Sequence, residues 1–223
     1  QLRASLHAIH INHQLHADSL QWQKHCEQIC LEWDVPLVAV AVEVAKETGK
    51  GLEAAAREAR YDVFAEHLAP DDLLLLAHHE NDQVETLLLN LFRGSGIDGL
   101  AGMPRERTAG RATLFRPLLE VSREQLEYYA KTMGLKWMED PSNASQQFDR
   151  NFLRHSVLPL IEQRFPSAIR AMARSVRHQR WSAELLRMTA GQLTDHCLDL
   201  SGRLSIHLLK GCTDQQQVLI LRH

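Results

Sequence analysis

Short apolar runs and stretches of helical spacing take turns along the first part of the chain. Residues 3–12 are predicted to be a strand that runs into a polar loop at 13–18. Residues 19–34 carry Leu20, Cys26, Ile29, Cys30 and Trp33 at helical spacing. Pro36 ends that segment, and 37–44 is a short Val-rich strand. Residues 52–68 are helical again, with Ala55, Ala56, Ala59, Val63 and Phe64 facing inward. The run at 72–77 fits a buried strand or a helix turn, and its brevity and its place between two helical patterns favour the strand. Residues 82–92 predict a helix, and the RGSGIDGLAGMP segment after it is rich enough in glycine to be a loop. Strand and helix in alternation imply an α/β fold, a parallel sheet with helices on both faces.

The pattern then changes. Residues 111–115 read as a strand closed by Arg116-Pro117. Ser122 and Gln125 form a capping box for a helix to Met133, which Gly134 stops. Residues 136–138 predict one more short strand, and 139–149 a polar connection. From Asn151 the alternation ends. Residues 152–165 and 167–196 are helical with Pro166 at the joint, 203–208 predict a short strand, and Thr213 with Gln216 caps a final helix. The expected organisation is a nucleotide-type α/β domain over 1–150 and a mainly helical domain over 151–223.

Composition changes this picture little and charge changes it more. With 44% hydrophobic and 24% charged residues the chain is an ordinary globular one, which excludes a disordered or collagen-like protein. No apolar run is long enough to span a membrane, and no basic-then-apolar leader opens the sequence. The four cysteines are too few for a disulfide scaffold, Cys26 and Cys30 read as core thiols, and a reducing cytoplasm is the expected compartment. The net charge of −3 conceals an asymmetry. Residues 1–148 hold 14 Lys and Arg against 22 Asp and Glu, whereas residues 149–223 hold 11 against 6. Two regions with different partners are expected. The chain opens on Gln1 and stops at His223 inside an apolar helical run, so a fragment is expected.

Four groups of residues carry candidate chemistry. Asp82 and Glu85 are three apart at the start of a predicted helix, behind His78 and His79. They share a face, favour the helix dipole and repel each other, which a Mg²⁺ ion or a substrate ammonium would relieve. A capped helix with solvated acids is the alternative. Arg57 and Arg60 lie about one turn apart and suit a phosphate, or else a surface pair between Glu53 and Arg57. Arg93 opens the glycine-rich loop, whose backbone can wrap an anion or serve turns alone. Histidines at 7, 10, 13 and 16 alternate faces on a strand, so a metal stripe is not expected, but His10 and His13 stand at the strand's carboxyl end, where a pocket is lined. Arg170, Arg174 and Arg177 share a helical face, either a phosphate-backbone contact or a solvated surface.

Taken together, HAIHINHQL, GLEAAAREARY, LAHHENDQVETLLLNLFRGSGIDGLAGM, FRPLL and WMEDPSNASQQFDRNFLR resemble the tRNA(Ile)-lysidine synthetase family of the N-type ATP pyrophosphatase (PP-loop) superfamily. The motifs stand in the family's order from residue 7 to about 160. The resemblance implies ATP-dependent joining of free lysine to C2 of the wobble cytidine in a tRNA(Ile) with a CAU anticodon, by way of an adenylated tRNA. It implies ATP and Mg²⁺ as cofactors, Asp82 and Glu85 at the metal or the lysine ammonium, and Arg57 at phosphate or adenylate. His10, His13, His78, His79, Arg60 and Arg93 would line the substrates, and Arg150, Arg154, Arg170, Arg174 and Arg177 would face tRNA. A homodimer is compatible with it. The superfamily's Ser-Gly-Gly-x-Asp-Ser loop occurs nowhere in these 223 residues, so the sequence by itself is not expected to adenylate tRNA. The competing readings are another PP-loop tRNA modifier, such as a cytidine 2-thiolase, and a non-catalytic tRNA-binding fragment.

Overall fold

A computed structural model describes residues 5–44, 51–199 and 201–222, without the side chain of Glu53. The two chain ends, the first residues of the strand predicted at 3–12, and the pairing of Glu53 with Arg57 therefore lie outside the described residues. The chain forms two compact units, interleaved in sequence. The first comprises Gln1–Leu76, Arg105–Pro117 and Tyr129–Asp140, and the second Ala77–Pro104, Leu118–Tyr128 and Pro141–His223.

In the first unit, β1 (Ala8–Asn12), α1 (Ser19–Glu32) and β2 (Leu37–Ala41) form a β-α-β segment, with β1 and β2 parallel from Ala8 opposite Leu37 to Asn12 opposite Ala41. Helix α2 (Leu52–His67) buries Ala55, Val63 and Phe64. Strand β3 (Leu73–Leu75) pairs in parallel with β5 (Ala112–Phe115), and β4 (Glu106–Ala109) joins β5 as an antiparallel hairpin. Gly110 makes that tight turn at φ +62, a value costly for a residue with a Cβ. The predicted α/β fold with parallel pairing is present. Three details differ from expectation. Strand β3 is not buried: it is the terminal strand of its sheet, and Leu73 is 57% exposed. Cys26 and Cys30 are half-buried rather than core, because α1 has no fully buried residue. Residues 136–138 form no strand; the chain there has no ladder to replace the helix that Gly134 ends at φ +65.

In the second unit, α3 (Glu80–Phe92) and the 29-residue α8 (Ala168–His196) are the principal helices. The core joins Val84 and Leu88 of α3 to Leu153, Leu158 and Ile169, with Leu89, Val157, Met172 and Ala173 packed around them. Val84 and Leu88 are four apart and so share one face of α3. Leu153 and Leu158 are five apart, a spacing an α-helix would put on different faces. The backbone solves this with a π-helical turn over Leu153–Val157, between α6 (Asp149–Phe152) and α7 (Leu158–Arg164). Along α8 the buried residues Ile169, Val176, Ala183 and Ala190 recur every seven positions, and the two alanines allow close approach of neighbouring backbone. The glycine-rich segment holds a short helix, α4 (Ile97–Leu100). The strand predicted at 203–208 is instead one isolated bridge, Leu198 to Leu204, followed by α9 (Ile206–Lys210), which Ser205 caps. The capping pairs Ser122–Gln125 and Thr213–Gln216 are both made, ahead of α5 (Arg123–Thr132) and α10 (Asp214–Arg222). Among the described residues no helix is long and apolar enough to cross a membrane.

Candidate active site

The start of α3 is built by its own side chains. His79 is the N-cap; its ring nitrogen accepts from the Asp82 backbone N–H at 3.4 Å, and the Asp82 carboxylate accepts from the His79 N–H at 2.9 Å. This reciprocal box satisfies two donors that a helix start otherwise leaves open. Asp82 and Glu85 then project from one face, as their spacing requires.

The cation between them belongs to the chain itself. Arg154 Nε donates to Glu85 Oε1 at 2.7 Å and its Nη2 to Glu85 Oε2 at 3.0 Å, while the same Nη2 reaches Asp82 Oδ1 at 3.4 Å. The fork on Glu85 is bidentate, the geometry that suits guanidinium and carboxylate. The Glu85 side chain is 1% exposed, Asp82 13% and Arg154 24%. Burial works against the Arg154 charge, but its hydrogen bond to Glu85 and the attraction of Glu85 and Asp82 outweigh this and raise its pKa. Arg154 occupies the π-helical turn, one residue after the buried Leu153. Arg150, one turn earlier, donates to Thr86 Oγ1 at 3.3 Å, and Thr86 in turn donates to the Asp82 carbonyl.

With these bonds every carboxylate oxygen of the pair is engaged. Among the described residues no three or more His, Cys, Asp and Glu converge as a metal site. Asp82 and Glu85 are two carboxylates already spanned by Arg154, and among the described residues no third acidic, histidine or cysteine ligand joins them in a metal site. Of the two acids, Asp82 is the one whose contact with Arg154 is long and which keeps some exposure.

The loop after α3 is clamped by residues that the sequence pattern did not single out. Gln83, buried, accepts from Met103 N–H at 2.7 Å and donates to Met103 O at 2.8 Å. Arg180 of α8 donates to the carbonyls of Ala101 and Met103. Gly102 sits between them at φ +66, where a Cβ would lie 2.5 Å from Gln83 Oε1 and 2.9 Å from Val176 Cγ1. Arg180 lies four residues after Val176 and three before Ala183, on the inward side of α8. Arg170, Arg174 and Arg177 are exposed, and no ion pair holds them among the described residues. Arg93 makes a long, exposed contact of 3.9 Å with Asp149. His78 is half-buried directly before the cap.

The first unit holds the remaining candidates. His10 and His13 are half-buried. Burial lowers the pKa of both; Glu27 partly offsets this at His10, whereas Arg60 and His10 add to it at His13. His13 Nδ1 is buried without a hydrogen-bond partner. Arg57 is exposed and lies over the ring of Tyr61 at 5.3 Å. The sequence reading thus finds its residues in two groups: His79, Asp82, Glu85, Arg150 and Arg154 in one unit, and His10, His13 and Arg60 in the other.

The fold resembles that of a solved structure, the U34-tRNA thiolase NcsA from Methanococcus maripaludis with its [4Fe-4S] cluster, at a TM-score of 0.62 and 14% identity over 78% of this chain and 61% of that one. Curated relatives named tRNA(Ile)-lysidine synthase include one from Xanthomonas axonopodis pv. citri, 43% identical over 98% of this chain and 50% of its own length. Another, from Pseudomonas syringae pv. tomato, is 49% identical over 84% of this chain and 42% of its own length. A third, from Coxiella burnetii, is 40% identical over 97% and 48%. The chain spans about half the length of the curated relatives it matches. The family model described as the PP-loop domain matches residues 1–161, most of the sequence, and the chain belongs to that family.

Proposed function

We propose that the protein carrying this sequence makes lysidine. ATP adenylates the C2 oxygen of the wobble cytidine of a tRNA(Ile) with a CAU anticodon, and pyrophosphate leaves. An amine of free lysine then attacks C2, AMP departs with that oxygen, and the nitrogen loses a proton. The observation that carries this reading is the site at α3 in a chain 40–49% identical to proteins named for that reaction. Two carboxylates share one guanidinium at 2.7–3.4 Å, and Asp82 has the longer contact with it.

Each part has a role in this chemistry. Asp82 receives the lysine ammonium, because its charge is the one Arg154 leaves least satisfied. Glu85 holds Arg154, and Arg154 with Arg150 holds the face of α3 that carries Asp82. His78 and His79 line the same helix start, and His79 fixes Asp82 through the capping box. Arg57, exposed on α2, takes the phosphate or the adenylate, with Arg60, His10 and His13 near the nucleotide and Arg93 near the substrate. Mg²⁺ arrives with the ATP phosphates. Positioned groups of this kind act by holding the amine in line with an electrophilic carbon. Arg170, Arg174 and Arg177 attract the tRNA backbone, and Arg150 and Arg154 serve tRNA through the α3 face that they hold. Work in the cytoplasm and a homodimer belong to the same reading.

The test is incorporation of labelled lysine into a tRNA(Ile) transcript with a CAU anticodon, with ATP and Mg²⁺, by the protein that carries this sequence. Asp82→Asn should raise the KM for lysine while ATP–pyrophosphate exchange on tRNA persists. No lysidine from the unmodified protein, or an unchanged lysine KM in the variant, would overturn the reading.

A further inference from the structure

The lysidine reading uses none of the four cysteines, and two of them meet in the second unit. Cys197 is the residue on which α8 ends, and its N–H donates to the carbonyls of Leu193 and Thr194. The chain then turns back through the bridge from Leu198 to Leu204, and the Ser205 N–H donates to the Cys197 carbonyl at 2.8 Å. Helix α9 follows, and Cys212 comes directly after Gly211, which ends it. This path returns the Cys212 sulfur to 3.6 Å from the Cys197 sulfur, 15 residues along the chain. Cys197 is 3% exposed, and Cys212 is half-buried.

Sulfurs at this distance touch without a bond, whereas a disulfide needs about 2.05 Å. Cys212 lies in the short turn between α9 and α10, outside both helices, so its backbone can supply the remaining approach. The two thiols differ in what can reach them. Cys212 keeps an accessible side. Cys197 is shielded, and burial, together with its contact to Cys212, raises its pKa. An oxidant therefore meets Cys212 first, and Cys197 is held in contact as the second sulfur.

We propose that Cys197 and Cys212 are an oxidation site, at which a hydroperoxide joins the two thiols as a reversible disulfide that fastens the α9 segment to the end of α8. The Cys212 sulfur attacks a peroxide oxygen and the O–O bond breaks. With hydrogen peroxide, water leaves and Cys212 becomes a sulfenic acid. The Cys197 sulfur then attacks the Cys212 sulfur, the S–O bond breaks, and the hydroxide leaves as a second water. Each water carries one thiol proton, and two electrons pass from the sulfurs to the peroxide. A thiol reductant reverses the bond by exchange, first at the more accessible Cys212. In a reducing compartment the pair rests as thiols. None of this depends on the lysidine reading.

Peptide mass spectrometry of the full chain tests this. The chain is treated with hydrogen peroxide at low protein concentration, blocked with iodoacetamide and cut with trypsin. Residues 188–203 should then appear joined to 211–222, two hydrogens lighter than the sum of the two peptides, and dithiothreitol should part them. Cys26 and Cys30 lie on a different tryptic peptide and do not confuse the result. The oxidised chain should melt several degrees higher than the reduced one, as expected for closing a loop of this length, and Cys212→Ser should abolish that rise. If Cys212→Ser does not fold, the joined peptide and the melting of the unsubstituted chain decide. The site is refuted if both cysteines stay open to iodoacetamide, if Cys212 goes to sulfinic acid with no joined peptide, or if the link runs between chains. A joined peptide with an unchanged melting temperature would equally overturn it, since the bond would then fasten nothing.

Discussion

Replacing Arg154, the partner of buried Glu85, with methionine should cost the second unit substantial stability. Glu85 is fully buried, and Arg154 satisfies both of its oxygens at 2.7 and 3.0 Å. Methionine keeps most of the stem's packing but strands the carboxylate, and an uncompensated buried charge of this kind costs about 3–5 kcal/mol. The double change Glu85→Leu with Arg154→Met removes the charge as well as its partner, and apolar replacement of a buried pair is close to neutral or stabilising by about 1–4 kcal/mol. The double variant should therefore be the more stable of the two, although it has lost more hydrogen bonds. Urea unfolding at pH 7, followed by far-ultraviolet circular dichroism, measures both. A loss below about 1 kcal/mol in the single variant, the range of an exposed pair, or an equal loss in the double variant, would show that water reaches Glu85 and would refute the argument.

The loop clamp gives a second comparison. Gly94→Ala, at φ +68 with open space around it, should cost the roughly 1–2 kcal/mol of a left-handed alanine, whereas Gly102→Ala also drives its Cβ into Gln83 and Val176 and should cost about 1–3 kcal/mol more by overpacking; equal losses in thermal or urea unfolding would mean that the Gln83 clamp yields. Changing Arg170, Arg174 and Arg177 together to Gln should flatten the slope of log tRNA affinity against log salt by about two units; an unchanged slope in filter binding would make the stripe a solvated face. His13 binds its proton less readily folded than unfolded, for burial and Arg60 both lower its pKa. Stability should thus fall as the pH drops below about 6.5, the unfolded value, and His13→Asn should lessen that fall; a profile identical to the parent's would mean His13 is hydrated.

Periodicity revealed the elements whose burial follows a simple period, and missed those set by pairing or by interruption of a period. Helices α1, α2, α3 and α8 stand close to where spacing put them. Strand β4 was not visible because Glu106, Arg107 and Thr108 show no apolar alternation; an edge strand in a hairpin needs none. The run at 203–208 has the apolar residues of a strand, but Ser205 caps a helix there. At α3, spacing predicted that Asp82 and Glu85 share a face and need a cation. It could not reveal which cation, since Arg154 lies 69 residues from Glu85 and reaches it from a π-helical turn. That turn accompanies the entry of Leu153 and Leu158 into one core, and no helical period of 3.6 signals it.

The arginines of the second unit divide by what already holds them, and this division bears on function. Arg154 is fixed by Glu85 and Asp82, and Arg180 by two loop carbonyls. Their positive charge is largely consumed within the unit. Arg180 faces inward because the heptad of Ile169, Val176, Ala183 and Ala190 sets which side of α8 is buried. The same heptad turns Arg170, Arg174 and Arg177 outward, where no carboxylate among the described residues neutralises them. A count of the five arginines along α8, Arg187 with its 3.7 Å contact to Asp98 included, would treat them alike. On α8 the three outward arginines without an acidic partner among the described residues are left to attract a polyanion, whereas a change at Arg180 should alter tRNA binding only through the loop that it clamps. A salt slope that responded to Arg180 as strongly as to the exposed stripe would contradict that division.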